Sequence, residues 1–160
     1  MLIDSVDFFR LDANRKLDPD RRSDLGQFMT PPATARLMAS MFEAKHNELT
    51  LLDAGAGVGS LTAAFVSDVC NRKNKPGSIR ATAYEIDSEL CEYHVSTLQQ
   101  FKQTCVSSEV AFDSEAIQGD FIDQGAGFLR NEMFTSVRSY NYPIMNASIR
   151  KIEIEFETCF

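Results

Sequence analysis

A glycine-rich segment at residues 53–59 follows a short apolar run at 49–52 and reads Asp-Ala-Gly-Ala-Gly-Val-Gly. Glycines between a strand and a helix let the backbone turn tightly and bring its N–H groups close to a ligand. The dinucleotide pattern G-x-G-x-x-G fails, because its third glycine would fall on Ser60 or Thr62. Asp53 would also repel a pyrophosphate, but it suits a cationic methionine group. The segment therefore favours S-adenosylmethionine over a dinucleotide or an ordinary glycine-rich turn.

Two further acidic residues follow apolar segments. Glu85 ends a predicted strand at 80–84, where a carboxylate can accept both ribose hydroxyls, although it could also be a solvated loop residue. Asp120 and Phe121 follow a third predicted strand at 116–118, where the acid can bind an adenine amino group and the ring can pack on the base. The ends of successive parallel strands meet in one crevice, so these residues predict a single ligand site.

The elements that must position these residues alternate between strands and helices. We expect helices at 2–17 and 88–102, a helix of about three turns begun by Thr30 and Pro31, and one directly after the glycines. A helical segment at 128–134 and a fourth strand at 140–145 follow. This order predicts an α/β fold with a parallel sheet, right-handed crossovers and helices on both faces.

The helices have apolar faces that predict which residues point inward. These are Leu37, Met38, Met41 and Phe42 in one helix, and Leu90, Val95, Leu98 and Phe101 in the helix that Asp87 caps. His46 and His94 have no partner at ligand spacing and are expected on the surface or on a helix face.

Composition limits the function further. The chain has 160 residues, 44% of them hydrophobic, and fits one soluble domain. No apolar run approaches the roughly 18 residues that span a bilayer, and residues 1–9 do not resemble a secretion signal. Its four cysteines are widely spaced, which argues against zinc and favours reduced thiols in the cytoplasm. A net charge of −7 argues against the isolated chain gripping a phosphate backbone.

The order of these motifs resembles the class I S-adenosylmethionine-dependent methyltransferases, and more narrowly the adenine-N6 DNA methylases of restriction–modification systems. The segment 26–31, Gly-Gln-Phe-Met-Thr-Pro, is similar to the one that precedes the glycine loop in that family. The resemblance implies a Rossmann-like methyltransferase fold, incomplete at its C-terminal end and preceded by N-terminal helices. It also implies cofactor-binding roles for these residues: Phe28, Thr30, Pro31, Asp53, Gly55, Gly57, Glu85, Ile86, Asp120 and Phe121.

The family's catalytic motif, Asn-Pro-Pro followed by Tyr or Phe, is incomplete here. Asn146 follows the fourth predicted strand, but Ala-Ser-Ile comes after it, so both prolines and the aromatic are absent. Asn146 is either the catalytic residue that accepts hydrogen bonds from a flipped base or a turn residue. Pro143 suits an edge strand, and the tail at 151–160 alternates apolar and acidic residues, so an open sheet edge could form a homodimer.

We therefore expect one partial methyltransferase domain over 1–160, with a helical extension at 1–30. Its predicted function is the cofactor-binding portion of a DNA adenine-N6 methyltransferase, with DNA bound through regions missing from this chain. Two alternatives stay open at this point. The chain could bind the cofactor without catalysis and act through a partner, or it could methylate a protein or a small molecule.

Overall fold

A computed structural model describes residues 2–24, 26–44 and 46–125. The elements in chain order are α1 (Leu2–Lys16), α2 (Pro19–Asp24), α3 (Pro32–Ser40), β1 (Glu48–Asp53), α4 (Ser60–Cys70), β2 (Ser78–Glu85), α5 (Ser88–Ser107) and β3 (Ala111–Gln118). The three strands are parallel, in the order β1-β2-β3. The alternating α/β architecture with a parallel sheet is confirmed.

The register places the ends of the strands together. Asp53 pairs with Ala83, and Glu85 pairs with Gln118, so all three strands finish at one edge of the sheet. The glycine segment, Glu85 and the residues that follow β3 leave the sheet at this edge. The fold thereby brings together the segments that the sequence predicted to form one site.

The described helices pack on a single face of the sheet. Leu51 and Ile79 point to this face and share one core with Phe101 of α5 and with α1, α3 and α4. The opposite face carries polar side chains such as Arg80 and Asp113, which form an exposed ion pair at 3.5 Å. Helices on both faces of the sheet were expected. Within the described residues, the β1–α4–β2 and β2–α5–β3 crossovers run in the same direction across the sheet, so α4 and α5 lie side by side on one face.

The N-terminal helices differ from the prediction in detail. α1 forms as expected, and it is followed by the short helix α2, which was not among the predicted helices. Pro31, not Thr30, is the N-cap of α3, and its extended backbone leads into Pro32 as the first helical residue. Leu37 and Met41 are 65% and 76% exposed, so their predicted inward orientation is wrong. Ala35 and Ala39 are buried instead.

The helix α5 and the strand β3 are both longer than predicted. The Asp87 cap is confirmed, since its Oδ1 accepts hydrogen bonds from the backbone N–H groups of Glu89 and Leu90. Val95 is exposed, contrary to expectation. The inward position nearby is taken by His94, which lies on the buried face of the helix, the second of the two places expected for it. β3 begins five residues before the predicted start at Ala116.

Several predictions fall outside the described residues. These are the segments 128–134 and 140–145, Pro143, Asn146 and the tail at 151–160. The homodimer through an open edge depends on them and stays a prediction, as do the domain boundaries and the cytoplasmic location. No helix in the described part of the chain is long and apolar enough to cross a membrane. Among the described residues, Cys70, Cys91 and Cys105 are free cysteines.

Candidate ligand-binding cleft

A cleft of about 640 Å³ lies at the carboxyl edge of the sheet. This volume is within the range of about 300–1,000 Å³ that holds small-molecule ligands. Eight of the ten residues predicted to bind the cofactor line it: Phe28, Thr30, Gly55, Gly57, Glu85, Ile86, Asp120 and Phe121. Pro31 and Asp53 do not line it. The walls come mainly from four places in the chain: the segment before α3, the glycine loop, the end of β2 and the end of β3.

The glycine loop is held tightly against the sheet and α5. The N–H of Ala56 donates to the carbonyl of Tyr84 at 2.8 Å, and the hydroxyl of Thr97 donates to the carbonyl of Val58 at 2.9 Å. Gly57 and Gly59 have φ angles of 55° and 88°, a region that disfavours any side chain. These bonds fix the loop with its backbone facing the cleft.

Glu85 joins the loop to the start of α5. Its Oε2 accepts a hydrogen bond from the N–H of Gly57 at 2.7 Å, and its Oε1 accepts one from the N–H of Asp87 at 2.9 Å. Burial raises the pKa of Glu85, while these backbone N–H groups oppose that change. A carboxylate has about four acceptor positions, so these bonds leave acceptor capacity for a ligand's hydroxyl groups.

Asp53 lies beneath the loop rather than in the cleft. It is 2% exposed, and its Oδ2 accepts a hydrogen bond from the hydroxyl of Thr62 at 2.7 Å. Its Oδ1 is buried with no hydrogen-bond partner among the described residues. Burial raises the pKa of Asp53 to about 7, and the charge of Glu85 adds to that rise although Thr62 opposes it. Asp53 therefore contacts α4 through Thr62 and does not line the cleft.

Asp120 and Phe121 lie where β3 leaves the sheet. The Oδ1 of Asp120 accepts a hydrogen bond from the N–H of Ile122 at 2.7 Å and begins a helical turn at 121–125. The ring of Phe121 meets Tyr84 edge to face, with centroids 5.2 Å apart. The N–H of Gly119 donates to the carbonyl of Glu85 at 2.9 Å, which ties this wall to the rest of the site.

The segment before α3 forms the other wall. Phe28 is 77% exposed and faces the cleft, so this apolar ring is not part of the core. An ion pair between Arg21 and Asp87, at 3.1 Å, links α2 to the start of α5. Sequence reasoning missed the contributions of Ser23 and Gln27 to the wall. Gln27 lies inside the motif that the sequence singled out, so the signal for it was present.

The described residues contain no group of three His, Cys, Asp or Glu side chains that could hold a metal ion. What the geometry offers is a cleft with the glycine loop on one side and two carboxylates, Glu85 and Asp120, on another. Apolar side chains of Phe28, Ile86 and Phe121 lie between them. Such a cleft can bind and orient a nucleoside with a cationic substituent.

Comparison with known proteins finds relatives of one kind. No family model matches the chain. It is 40% identical over 147 residues to the type II methyltransferase M.PstI of Providencia stuartii, covering 92% of the chain and 28% of that protein. It is 34% identical over 156 residues to the type II methyltransferase M.BsuBI of Bacillus subtilis, covering 95% of the chain and 29% of that protein. The chain thus spans less than a third of either relative.

Among solved structures, the chain is similar to SCL7 of Oryza sativa, with a TM-score of 0.51 at 15% sequence identity. The likeness covers 89% of this chain and 36% of the other. At that level of identity the match concerns the fold alone.

Proposed function

We propose that this chain, which belongs to the type II methyltransferase family of M.PstI and M.BsuBI, is the S-adenosylmethionine-binding portion of a DNA adenine-N6 methyltransferase of a restriction–modification system. The main observation behind the proposal is the hydrogen bond that the N–H of Gly57 donates to Glu85 at the edge of the cleft. A glycine loop and an acid at the end of the next parallel strand form one side of a nucleoside site. The chain order of the elements supports a Rossmann-like methyltransferase fold.

The cleft suits the nucleoside part of the cofactor. Glu85 has acceptor capacity left for the ribose hydroxyls, and it is held in place by two backbone N–H groups. Ile86 and Phe121 offer apolar surface to the adenine ring, and Asp120 can accept from its amino group. When bound, S-adenosylmethionine supplies an activated methyl group on a sulfonium cation.

Charge favours that cation in the cleft. Asp53 and Glu85 are close enough for the charge of one to raise the pKa of the other. A sulfonium near the loop would stabilise the ionised form of both groups. Since Asp53 titrates near neutral pH in the ligand-free chain, ligand binding and the loss of its proton favour each other.

Transfer to DNA is the part of the proposal that depends on regions beyond the cleft. Asn146 is our candidate for the residue that accepts hydrogen bonds from the target amine, and it lies outside the described residues. The net charge of −7 indicates that most of the DNA-binding surface is contributed from elsewhere. We assign this surface to parts of the protein that correspond to the unmatched two thirds of the relatives.

A second candidate function is cofactor binding without catalysis, in which the chain acts through a partner protein. It is favoured by the sequence Ala-Ser-Ile after Asn146, which lacks both prolines and the aromatic residue of the family motif. A methyltransferase acting on a protein or a small molecule is a third candidate, and the acidic charge of the chain favours it over one that grips DNA alone.

A binding titration beside a transfer assay separates these candidates. S-adenosylmethionine is titrated calorimetrically, and methyl transfer from the labelled cofactor to unmethylated DNA is measured, with N6-methyladenine identified by mass spectrometry. The chain alone is expected to bind the cofactor, and transfer to DNA is expected once the regions that supply the DNA-binding surface are present. Binding without transfer even then would support the second candidate, labelled protein with unlabelled DNA would support the third, and no binding would refute the proposal.

A matched pair of variants connects the result to the cleft. Glu85→Gln replaces a buried carboxylate that lines the cleft, whereas Glu89→Gln changes an exposed carboxylate on the first turn of α5. We expect Glu85→Gln to weaken cofactor binding about 10-fold or more, because a charged acceptor becomes neutral. Glu89→Gln should leave binding unchanged. Equal effects of the two substitutions would contradict the placement of the ribose at Glu85.

A further inference from the structure

Two of the described cysteines meet in the core, away from the cleft. The Sγ atoms of Cys70 and Cys105 lie 3.8 Å apart and share a hydrogen bond, although the residues are 35 positions apart in the chain. Cys70 is the last residue of α4, and Cys105 lies in the last turn of α5. Both helices begin beside the cleft. The thiols therefore lie roughly 15 Å along α4 and roughly 25 Å along α5 from that end.

Packing and backbone hydrogen bonds hold the two thiols in contact. Cys70 and Cys105 are 4% and 0% exposed, and both belong to the core between α4 and α5. The carbonyl of Cys105 accepts from the N–H groups of Ser108 and Val110, each at 2.9 Å, which fixes the C-terminal end of α5. A disulfide bond is about 2 Å long, so the two sulfur atoms must approach each other by about 1.8 Å to form one.

The surroundings of Cys70 favour its thiolate, which is the reactive form of a cysteine. The hydrogen bond with Cys105 lowers the pKa of Cys70, and Ser108 and the charge of Lys75 lower it further, while burial opposes the change. The Nζ of Lys75 donates to the carbonyl of Ser108 at 3.5 Å, which holds the ammonium group at this end of α5. The shared hydrogen bond and burial raise the pKa of Cys105. The pair thus combines a sulfur that ionises readily with one that keeps its proton.

Cys91, on the same helix as Cys105, provides a comparison. It is more exposed than Cys70, and its Sγ donates to the carbonyl of Glu85 at 3.4 Å. Burial raises the pKa of Cys91, and the charges of Glu85 and Asp87 raise it further. A thiol with a raised pKa reacts slowly with peroxides, because little of it is thiolate. Exposure alone would therefore select Cys91 for oxidation, whereas the local chemistry selects Cys70.

We propose that Cys70 and Cys105 are an oxidation site that hydrogen peroxide converts to an intrachain disulfide. The Cys70 thiolate attacks one peroxide oxygen, so that an S–O bond forms, the O–O bond breaks and the departing hydroxide takes up a proton to become water. The Cys105 sulfur then attacks the Cys70 sulfur, and the S–S bond forms as the S–O bond breaks. The second hydroxide takes the thiol proton of Cys105 and leaves as water. The two thiols lose two electrons in all, and the peroxide gains them.

The disulfide stabilises the fold without altering the walls of the cleft. It closes a loop over residues 70–105 that contains β2, and such a cross-link reduces the conformational freedom of the unfolded chain. We expect the midpoint of thermal unfolding to rise by about 5–15 °C on oxidation. Neither cysteine lines the cleft, so this modification is independent of the proposed function.

The test treats the folded wild-type chain with hydrogen peroxide, blocks the remaining thiols and maps the disulfides by peptide mass spectrometry. We expect a Cys70–Cys105 disulfide before Cys91 or Cys159 is oxidised, and dithiothreitol should reverse it. Cys105→Ala removes the second thiol, so the sulfenic acid of Cys70 should accumulate and react with dimedone. The control Cys91→Ala should form the disulfide at the wild-type rate.

The wild-type map decides the question even where a variant fails to fold, which circular dichroism of each reduced protein reveals. Oxidation of Cys91 or Cys159 first, a disulfide to either of them, or no disulfide at all would overturn the proposal. A Cys70–Cys105 disulfide that forms only in urea would also overturn it, because the contact would then not be a property of the folded chain. An oxidised chain that melts no higher than the reduced chain would contradict the stabilising role.

Discussion

Two buried titratable groups lie on either side of the glycine loop and should make stability depend on pH in opposite directions. Asp53 lies beneath the loop, and burial raises its pKa to about 7. His94 packs against Gly59, has no hydrogen-bond partner among the described residues, and has its pKa lowered by burial to about 4. We predict that replacing either group exposes the pH dependence of the other.

The signs follow from where each state binds its proton. Between pH 3.8 and about 7 the folded chain keeps the Asp53 proton that the unfolded chain loses. The contribution of this proton to the free energy of unfolding is therefore full at low pH and declines as the pH rises. As the pH falls, His94 takes up its proton near pH 6.5 in the unfolded chain and only near pH 4 in the folded chain. The contribution of His94 to the free energy of unfolding is therefore full at higher pH and declines as the pH falls. From about pH 5.5 to 7.5, the free energy of unfolding loses about 2 kcal/mol through Asp53 and gains about 1 kcal/mol through His94.

The wild-type chain should therefore lose only about 1 kcal/mol of stability over this interval. Asp53→Asn should instead gain about 1 kcal/mol as the pH rises, and His94→Leu should lose about 2 kcal/mol. Urea denaturation followed by circular dichroism at each pH gives these free energies. Glu85, whose pKa burial also raises, is present in all three proteins. Because its charge interacts with Asp53, its contribution is directly comparable between the wild type and His94→Leu.

The result that would refute this reasoning is a set of three parallel pH profiles. It would mean that neither group changes its pKa on folding, so that water reaches Asp53 and His94 in the folded chain. A parallel profile for Asp53→Asn alone would locate the error at Asp53 and leave the account of His94 standing.

Three further predictions concern the loop and the cleft. Gly59→Ala should lower the free energy of unfolding by about 1–3 kcal/mol, measured by urea denaturation, because φ is 88° and the added Cβ would lie 3.1 Å from the ring of His94. Thr62→Val should lower the free energy of unfolding by about 1–3 kcal/mol in the same assay, because the Asp53 side chain loses the hydrogen bond from Thr62. It should also raise the pKa of Asp53 further, which carboxyl NMR would follow. Phe121→Leu should weaken S-adenosylmethionine binding several-fold by calorimetry, whereas the control Phe112→Leu, which alters a ring packed on the core, should lower stability and leave binding unchanged. Unchanged stability in Gly59→Ala or Thr62→Val would contradict the first two predictions. Equal losses of binding in Phe121→Leu and Phe112→Leu would contradict the third.

Much of the site could be predicted because its residues lie at the ends of elements with clear sequence signals. The glycine segment begins where an apolar run stops, and Asp87 precedes a long amphipathic segment as a helix cap. Parallel strands bring their carboxyl ends together, so Glu85 and Asp120 could be placed in one cleft before any coordinates were known.

The errors have physical causes that hydrophobicity alone does not express. α3 packs closely against α4 through Ala35 and Ala39, so the larger Leu37 and Met41 point outward. The start of β3 was missed because its residues alternate exposed and half-buried positions rather than forming an apolar run. His94 takes an inward position next to a glycine, where nothing in the pattern required a polar ring.

The orientation of Asp53 could have been predicted from the period of two in a strand. Leu51 and Asp53 are two residues apart in β1, so their side chains point to the same face of the sheet. Leu51 is a core residue under the helices, and Asp53 must therefore meet α4, where it finds Thr62. The motif identified an important acid, but the strand geometry decided that it supports the loop from below.

The strand order of the sheet has a consequence for how the chain is made. Because β1, β2 and β3 pair in the order in which they are synthesised, each strand can dock on an edge that is already present. At about 5–20 residues per second, translation reaches the end of β3 in roughly 6–24 s. The walls of the cleft end only a few residues later, at Ile122. The walls of the cleft can thus come together while the residues after Ile122 are still being translated, which proteolysis of stalled nascent chains would test.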